Sequence, residues 1–280
     1  MTDTVIQTFP GSLDLIRAQR AELPQKDALC GAFWGLLALR ALLPHRVGIA
    51  ELDQDAVARA AGTTLAPGDR PEFRPPGERA RADYGSPLPP ASDPARSGTS
   101  AGGLARAVAE LAGECLVVVP ATGDWQTDRL RQLLDRLAGW PVPLACLANL
   151  STGWLWGTHP YPEQILGYLA DGDDRSGPPS DWDVGHFVAV AGLITGPEGV
   201  LLTVVDSYPS LGRHGVHLQP VERVVAALRR NGAPGGLLMA APREQEEPLV
   251  SAVTDAGLEP RLWDNGSIDA RHPARRCPGT

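Results

Sequence analysis

The chain has 280 residues, 43% hydrophobic and 21% charged, with a formal net charge of −8. That suffices for one large domain or two small ones with an ordinary core, so no disulfide or metal staple is required. The net acidity argues against a nucleic-acid partner held through phosphates and against an anionic membrane surface, and no stretch approaches the ~20 apolar residues of a membrane span.

Met1 to Pro10 has neither a basic start nor an apolar run, so no signal peptide is expected. Residues Ser12 to Leu23 carry a weak helical pattern that Pro24 breaks. From Cys30 to Leu43 the chain is apolar almost all round and free of proline, which predicts a buried helix stopped by Pro44. Asp53 to Ala61 reads as a short second helix. Residues 66–103 are dominated by Pro, Gly, Ser, Arg and Asp, and are expected to form a long mobile insertion, a lid or a linker. Beyond it, Leu104 to Ala112 reads as helix and Cys115 to Pro120 as a buried strand. Thr127 to Ala138 is an amphipathic helix with Leu130, Leu133, Leu134 and Leu137 on one side. Val142 to Leu150 reads as strand and Tyr161 to Leu169 as helix. His186 to Ile194 and Val200 to Val205 are two strands joined by Thr195-Gly196-Pro197-Glu198-Gly199, a hairpin connection. Pro220 to Arg230 is a helix opened by proline and Leu237 to Ala241 a last strand. The expected organisation is a helical half (1–65), the insertion (66–103), a sheet half (104–263) and a loose tail (264–280).

Four cysteines, Cys30, Cys115, Cys146 and Cys277, form no C-x-x-C pair. A structural zinc site is not expected, and the pattern is that of a reduced, cytoplasmic protein without a cofactor. Cys115 and Cys146 lie in apolar runs and read as core residues. Cys30 is different. A cysteine at the start of a buried helix meets the helix dipole and free N–H groups, which favour its thiolate, and its own N–H can face an oxyanion. Gly31 lets the backbone pack closely, and Gln25 can offer a second oxyanion donor. Lys26, the single lysine of the chain, lies four residues before the cysteine.

The base is expected at His186, which opens the strand Gly185-His186-Phe187-Val188-Ala189-Val190-Ala191-Gly192. The next strand ends in Val204-Val205-Asp206-Ser207. If the two pair as a hairpin, Asp206 comes beside His186, where a carboxylate fixes the tautomer and steadies the imidazolium. His45, His159 and His272 sit in loops. His214 and His217, three apart, could form half of a metal site.

Taken together, Gln25, Cys30-Gly31, His186 and Asp206 resemble, in order and context, the papain-like cysteine peptidase superfamily. Aspartate in the last role is closest in style to the bacteriocin-leader peptidases and phytochelatin synthase. The resemblance covers three short motifs. It implies an α+β papain-like fold in which a nucleophile helix packs against a mainly antiparallel sheet carrying His and Asp. The step from Gln25 to Cys30 is five where the family usually has six; Asp27 or a backbone N–H could stand in for Gln25. The implied activity is that of a thiol hydrolase, peptidase or acyltransferase working through a Cys30 thioester on a specific intracellular peptide or small-molecule amide. Two other readings are a papain-like binding protein without thiol chemistry and a scaffold that uses the 66–103 segment.

Overall fold

The computed structural model describes residues 4–230 and 234–272, so Cys277 lies outside the described residues. In chain order the first elements are β1 (Val5–Thr8), α1 (Ser12–Ala21), α2 (Cys30–Leu42), α3 (Gln54–Ala61) and α4 (Ala101–Ala112). Next come β2 (Leu116–Ala121), α5 (Thr127–Ala138), β3 (Ala145–Ser151), α6 (Pro162–Asp171), β4 (Gly185–Thr195) and β5 (Val200–Val205). The order closes with β6 (Val216–Pro220), α7 (Val221–Arg229), β7 (Gly236–Pro242) and α8 (Glu246–Asp255).

The fold is α+β, built on one seven-stranded sheet in the order β2-β7-β3-β4-β5-β6. Every pairing in it is antiparallel. β1 continues the line of β3, pairing with the far end of β4 from Val5↔Thr195 to Thr8↔Gly192. The central strands are apolar on both faces because both are covered. Cys146, Ala148, Val188, Val190, Leu237 and Met239 point to one side, where α5, α7 and α8 bring leucines and valines. Ala145, Leu147, Phe187, Ala189, Leu238 and Ala240 alternate with them and meet α2, α3 and α4. The period of two along each strand divides the core into two layers.

Helix α2 is the centre of the second layer. Its residues from Gly31 to Leu39 are all buried, which accounts for an apolar surface on every side. Two glycines admit its neighbours: a Cβ on Gly31 would lie 2.8 Å from Thr99 Cβ, and one on Gly35 would lie 2.8 Å from Leu104 Cδ1. Asp53 caps α3 by accepting from Ala56 N, and Ser100 caps α4 by accepting from Gly103 N. Because α4 packs on α2 and α3, the helical layer takes in chain from both sides of the 66–103 segment.

That segment is held largely by polar contacts. Thr64 bridges Gly98 and Leu65 bridges Pro90, and between residues 66 and 100 only Pro75, Leu88 and Ala91 put buried apolar side chains inward. The remaining ties are charges and backbone groups. Arg74 pairs with Asp27 at 2.9 Å and Asp69 at 2.7 Å, Arg81 O accepts from Asp27 N, and Tyr84 Oη donates to Asp27 O. Residues 264–272, expected to be loose, are tied in the same way. Asp269 pairs with Arg106 at 2.7 Å, Ile268 N donates to Arg96 O, and Ala270 N donates to Gly62 O.

Cys146 is buried, as its apolar run suggests, but Cys115 is exposed. It sits in the turn after α4, where Glu114 takes a positive φ of 64°, and the strand starts one residue later than expected, at Leu116. His214 and His217 are not a metal pair. His214 stands exposed in a turn at φ 56°, while His217, on β6, is 4% exposed and meets Gln219 with its Nδ1. Among the described residues no helix is long and apolar enough to cross a membrane.

Candidate active site

Cys30 is the first residue of α2, so its side chain sits at the positive end of a long apolar helix. The approach to it is sharply turned: Ala28 adopts φ 61°, in the left-handed region that a residue with a Cβ rarely occupies. The turn is held from three sides. Lys26 N donates to Gln54 Oε1 at 2.8 Å, Lys26 Nζ pairs with Asp55, and Lys26 Nζ also donates to Asp83 O at 2.7 Å. Lys26 thus braces the approach to Cys30.

His186 lies at the start of β4 and is 2% exposed. Its Nε2 is 3.2 Å from Asp206 Oδ1, just past the end of β5. That leaves Nδ1 for the thiol. Two aromatic rings enclose the imidazole: Trp182 meets it edge-on at 5.1 Å and Tyr208 stacks on it at 6.0 Å. Asp206 Oδ1 also accepts from Tyr208 N at 3.0 Å.

The protonation states follow. Burial alone pushes the Cys30 thiol up, but a hydrogen bond and the charge of His186, with the N–H groups of Phe187 and Gly31, bring it below its usual value. Burial alone would push His186 down; the charge of Asp206, its hydrogen bond and the thiolate raise it to about 10. Burial likewise opposes the Asp206 carboxylate, and His186 and then His217 outweigh it, holding its pKa below the ordinary range. The directions of all three shifts favour a thiolate–imidazolium pair backed by a carboxylate. Cys146, by contrast, is pushed up to about 12 by burial and has no such partner.

Gln25 is 4% exposed and lines the same cleft as Cys30 and His186. Its amide is oriented at both ends: Oε1 accepts from Ser207 Oγ at 2.5 Å, and Nε2 donates to Tyr208 Oη at 3.0 Å. One Nε2 hydrogen stays available, since an amide nitrogen carries two. Asp27, the other residue considered for this role, is occupied by Arg74 and by the N–H of Arg81.

The cleft over Cys30 has a volume of about 310 Å³. Phe73 and residues 94–99 form one wall, Asn149 and Arg230 another, and Asn265 to Ser267 the rim. Arg230 Nη2 donates to Asn149 Oδ1 and Asn265 O, both at 3.1 Å. A second cavity of about 440 Å³ adjoins it through Ala28 and Phe73 and reaches Tyr84 and Tyr208. Among the described residues no cluster of three His, Cys, Asp or Glu could hold a metal ion. Trp182, Ser207, Tyr208, Asn149 and Arg230 had no motif to announce them. Ser207 and Tyr208 directly follow Asp206, and that adjacency is the one signal in the sequence that could have drawn attention to them.

The fold and this cleft define an α+β protein in which a half-buried cysteine stands beside a buried histidine–aspartate pair. The chain belongs to a family of unknown function, DUF6885, whose profile covers residues 9–264. No curated protein and no solved structure matches it.

Proposed function

We propose that the chain is a papain-like cysteine enzyme that cleaves or transfers at an amide or thioester carbonyl. The observation that carries this reading is the line Cys30–His186–Asp206, in which one imidazole is polarised by a buried carboxylate and lowers the pKa of a helix-start thiol. The order and contexts of Gln25, Cys30, His186 and Asp206 support it as well.

The Cys30 thiolate attacks the carbonyl carbon and the C=O electrons move onto oxygen. The Cys30 N–H and the remaining Gln25 Nε2 hydrogen stabilise that oxyanion. As the carbonyl re-forms, the bond to the leaving group breaks, and an amine departs with the proton from His186 Nδ1. A thioester on Cys30 remains. Water, or an acceptor amine, then loses a proton to His186 and attacks the thioester; the product leaves and the thiolate returns. A cleft of 310 Å³ with Asn149, Asn265 and Ser267 on its walls suits a short peptide segment or a small polar amide.

Iodoacetamide tests the reading. Cys30 should alkylate at pH 6 at least tenfold faster than the exposed Cys115, whose thiol lacks an imidazolium beside it. Cys30→Ala should abolish acyl-adduct formation with peptide thioester or amide probes while leaving circular dichroism unchanged. Equal alkylation of Cys30 and Cys115 at pH 6, or an adduct retained by Cys30→Ala, would overturn it. A reactive Cys30 with no acyl adduct from any probe would favour a binding protein.

A further inference from the structure

The structure points to a second histidine behind the aspartate: we propose that His217 is a positioning residue that donates through one buried water to the free side of Asp206. This rests on the reading that Asp206 orients His186.

The tautomer of His217 follows from its neighbours. Gln219 Oε1 accepts from Trp156 N at 2.8 Å, which fixes the amide of Gln219 with its nitrogen on the other side. That nitrogen donates to Trp156 O at 3.0 Å and lies 3.0 Å from His217 Nδ1. Having no lone pair to offer, it can only donate to Nδ1. Nδ1 is therefore the acceptor, and the proton of the neutral ring is on Nε2. This Nε2–H is buried and has no hydrogen-bond partner among the described residues. It faces Asp206 Oδ2 at 4.0 Å, too far for a direct hydrogen bond.

Between them lies a cavity of about 10 Å³, measured by the centre of a water-sized sphere, with Thr158, Asp181, Trp182, Asp206 and His217 among its walls. That is room for about one water. A water there accepts from His217 Nε2–H and donates to Asp206 Oδ2, leaving Oδ1 directed at His186. A buried donor without a partner is costly, and the water relieves that cost. The charged and titratable groups around His217 are Asp206, Asp181, His159 and His186. Burial outweighs the two carboxylates and brings its pKa down to about 4, so the ring stays neutral at physiological pH.

The test is nuclear magnetic resonance on the full-length protein, with ¹⁵N-labelled histidine and ¹³C-labelled aspartate carboxyl groups. In the wild type, His217 should show a protonated Nε2 and a bare Nδ1 from pH 5.5 to 8; the opposite tautomer overturns the proposal. A donor to a carboxylate lowers its pKa, so removing the donor must raise it. His217→Phe should therefore move the Asp206 carboxyl titration up by about one pH unit, and His217→Gln, whose amide nitrogen reaches the Nε2 position, should restore most of it. An unmoved Asp206 titration in folded His217→Phe, or equal shifts in both variants, overturns it. If His217→Phe does not fold, the wild-type tautomer together with an Asp206 titration in His217→Gln close to wild type decides in favour, and an Asp206 shift in His217→Gln decides against. Alkylation of Cys30 in the wild type separates the two claims: an inert Cys30 with a shifted Asp206 would remove the proposed function and leave this hydrogen-bond chain standing.

Discussion

At Asp206 the charge and the hydrogen bond are separable. Asp206→Asn keeps an acceptor for His186 and removes the negative charge that raises its pKa. The pH limit above which the imidazolium is lost should then fall from about 10 toward the ordinary histidine range, narrowing from its alkaline side the pH profile of Cys30 acylation by an amide probe, whose leaving amine needs that proton. His186→Ala removes the proposed base itself, so it should cost more activity than Asp206→Asn at pH 7. The pH profile of acylation by an amide probe checks both, and equal losses would make the carboxylate charge indispensable. Lys26 offers a prediction about stability. Its ammonium and the Asp55 carboxylate have side-chain exposures of 11% and 1%, and Asp55 Oδ2 also accepts from Gly85 N at 2.8 Å. Lys26→Met leaves that carboxylate buried and unpaired, which costs about 3–5 kcal/mol. A urea midpoint lowered with the slope unchanged would show it, while a change under 1 kcal/mol would mean that the pair is solvated.

Among the elements, α2 holds the site in place through contacts only small residues permit. Gly31→Ala puts a Cβ 2.8 Å from the Cβ of Thr99, a residue of the cleft wall. The variant should lose about 1–3 kcal/mol of stability. Adding Thr99→Gly should recover part of it, measurable as a melting temperature that rises again in the double variant. The elements also divide by how visible they were. α2, α5, β4 and β5 announce themselves through apolar runs or leucine spacing, and the β4–β5 hairpin brings His186 within 3.2 Å of Asp206. β1 has four residues, all exposed, and offers no alternation to read. β6 emerges from a glycine-rich turn and ends on Pro220, so the sequence shows a strand start around His214 and His217 but not its extent. Residues 66–103 were opaque for another reason. Composition records how few apolar anchors they have, whereas their position depends on arginine–aspartate pairs and backbone bonds with partners distant in sequence.

On the scale of the whole molecule, the cleft is assembled from remote pieces: α2, the 94–99 wall, the start of β4 and the 265–267 rim. Ending the chain after Trp263 should therefore preserve the sheet and the fast alkylation of Cys30 but raise the KM of any substrate several-fold. Loss of Arg106–Asp269 should cost little more than a half-buried ion pair. A truncated protein with an unchanged KM would show that the rim does not touch substrate. The same long separations set a schedule during synthesis. Cys30 leaves the ribosome long before His186, by on the order of ten seconds at ordinary elongation rates. Until β4 pairs and Asp206 arrives, its sulfur has no imidazolium and reacts as an ordinary thiol. The proposed nucleophile is therefore carried unarmed while the chain is unfolded, and the reactivity of Cys30 reports completion of the sheet.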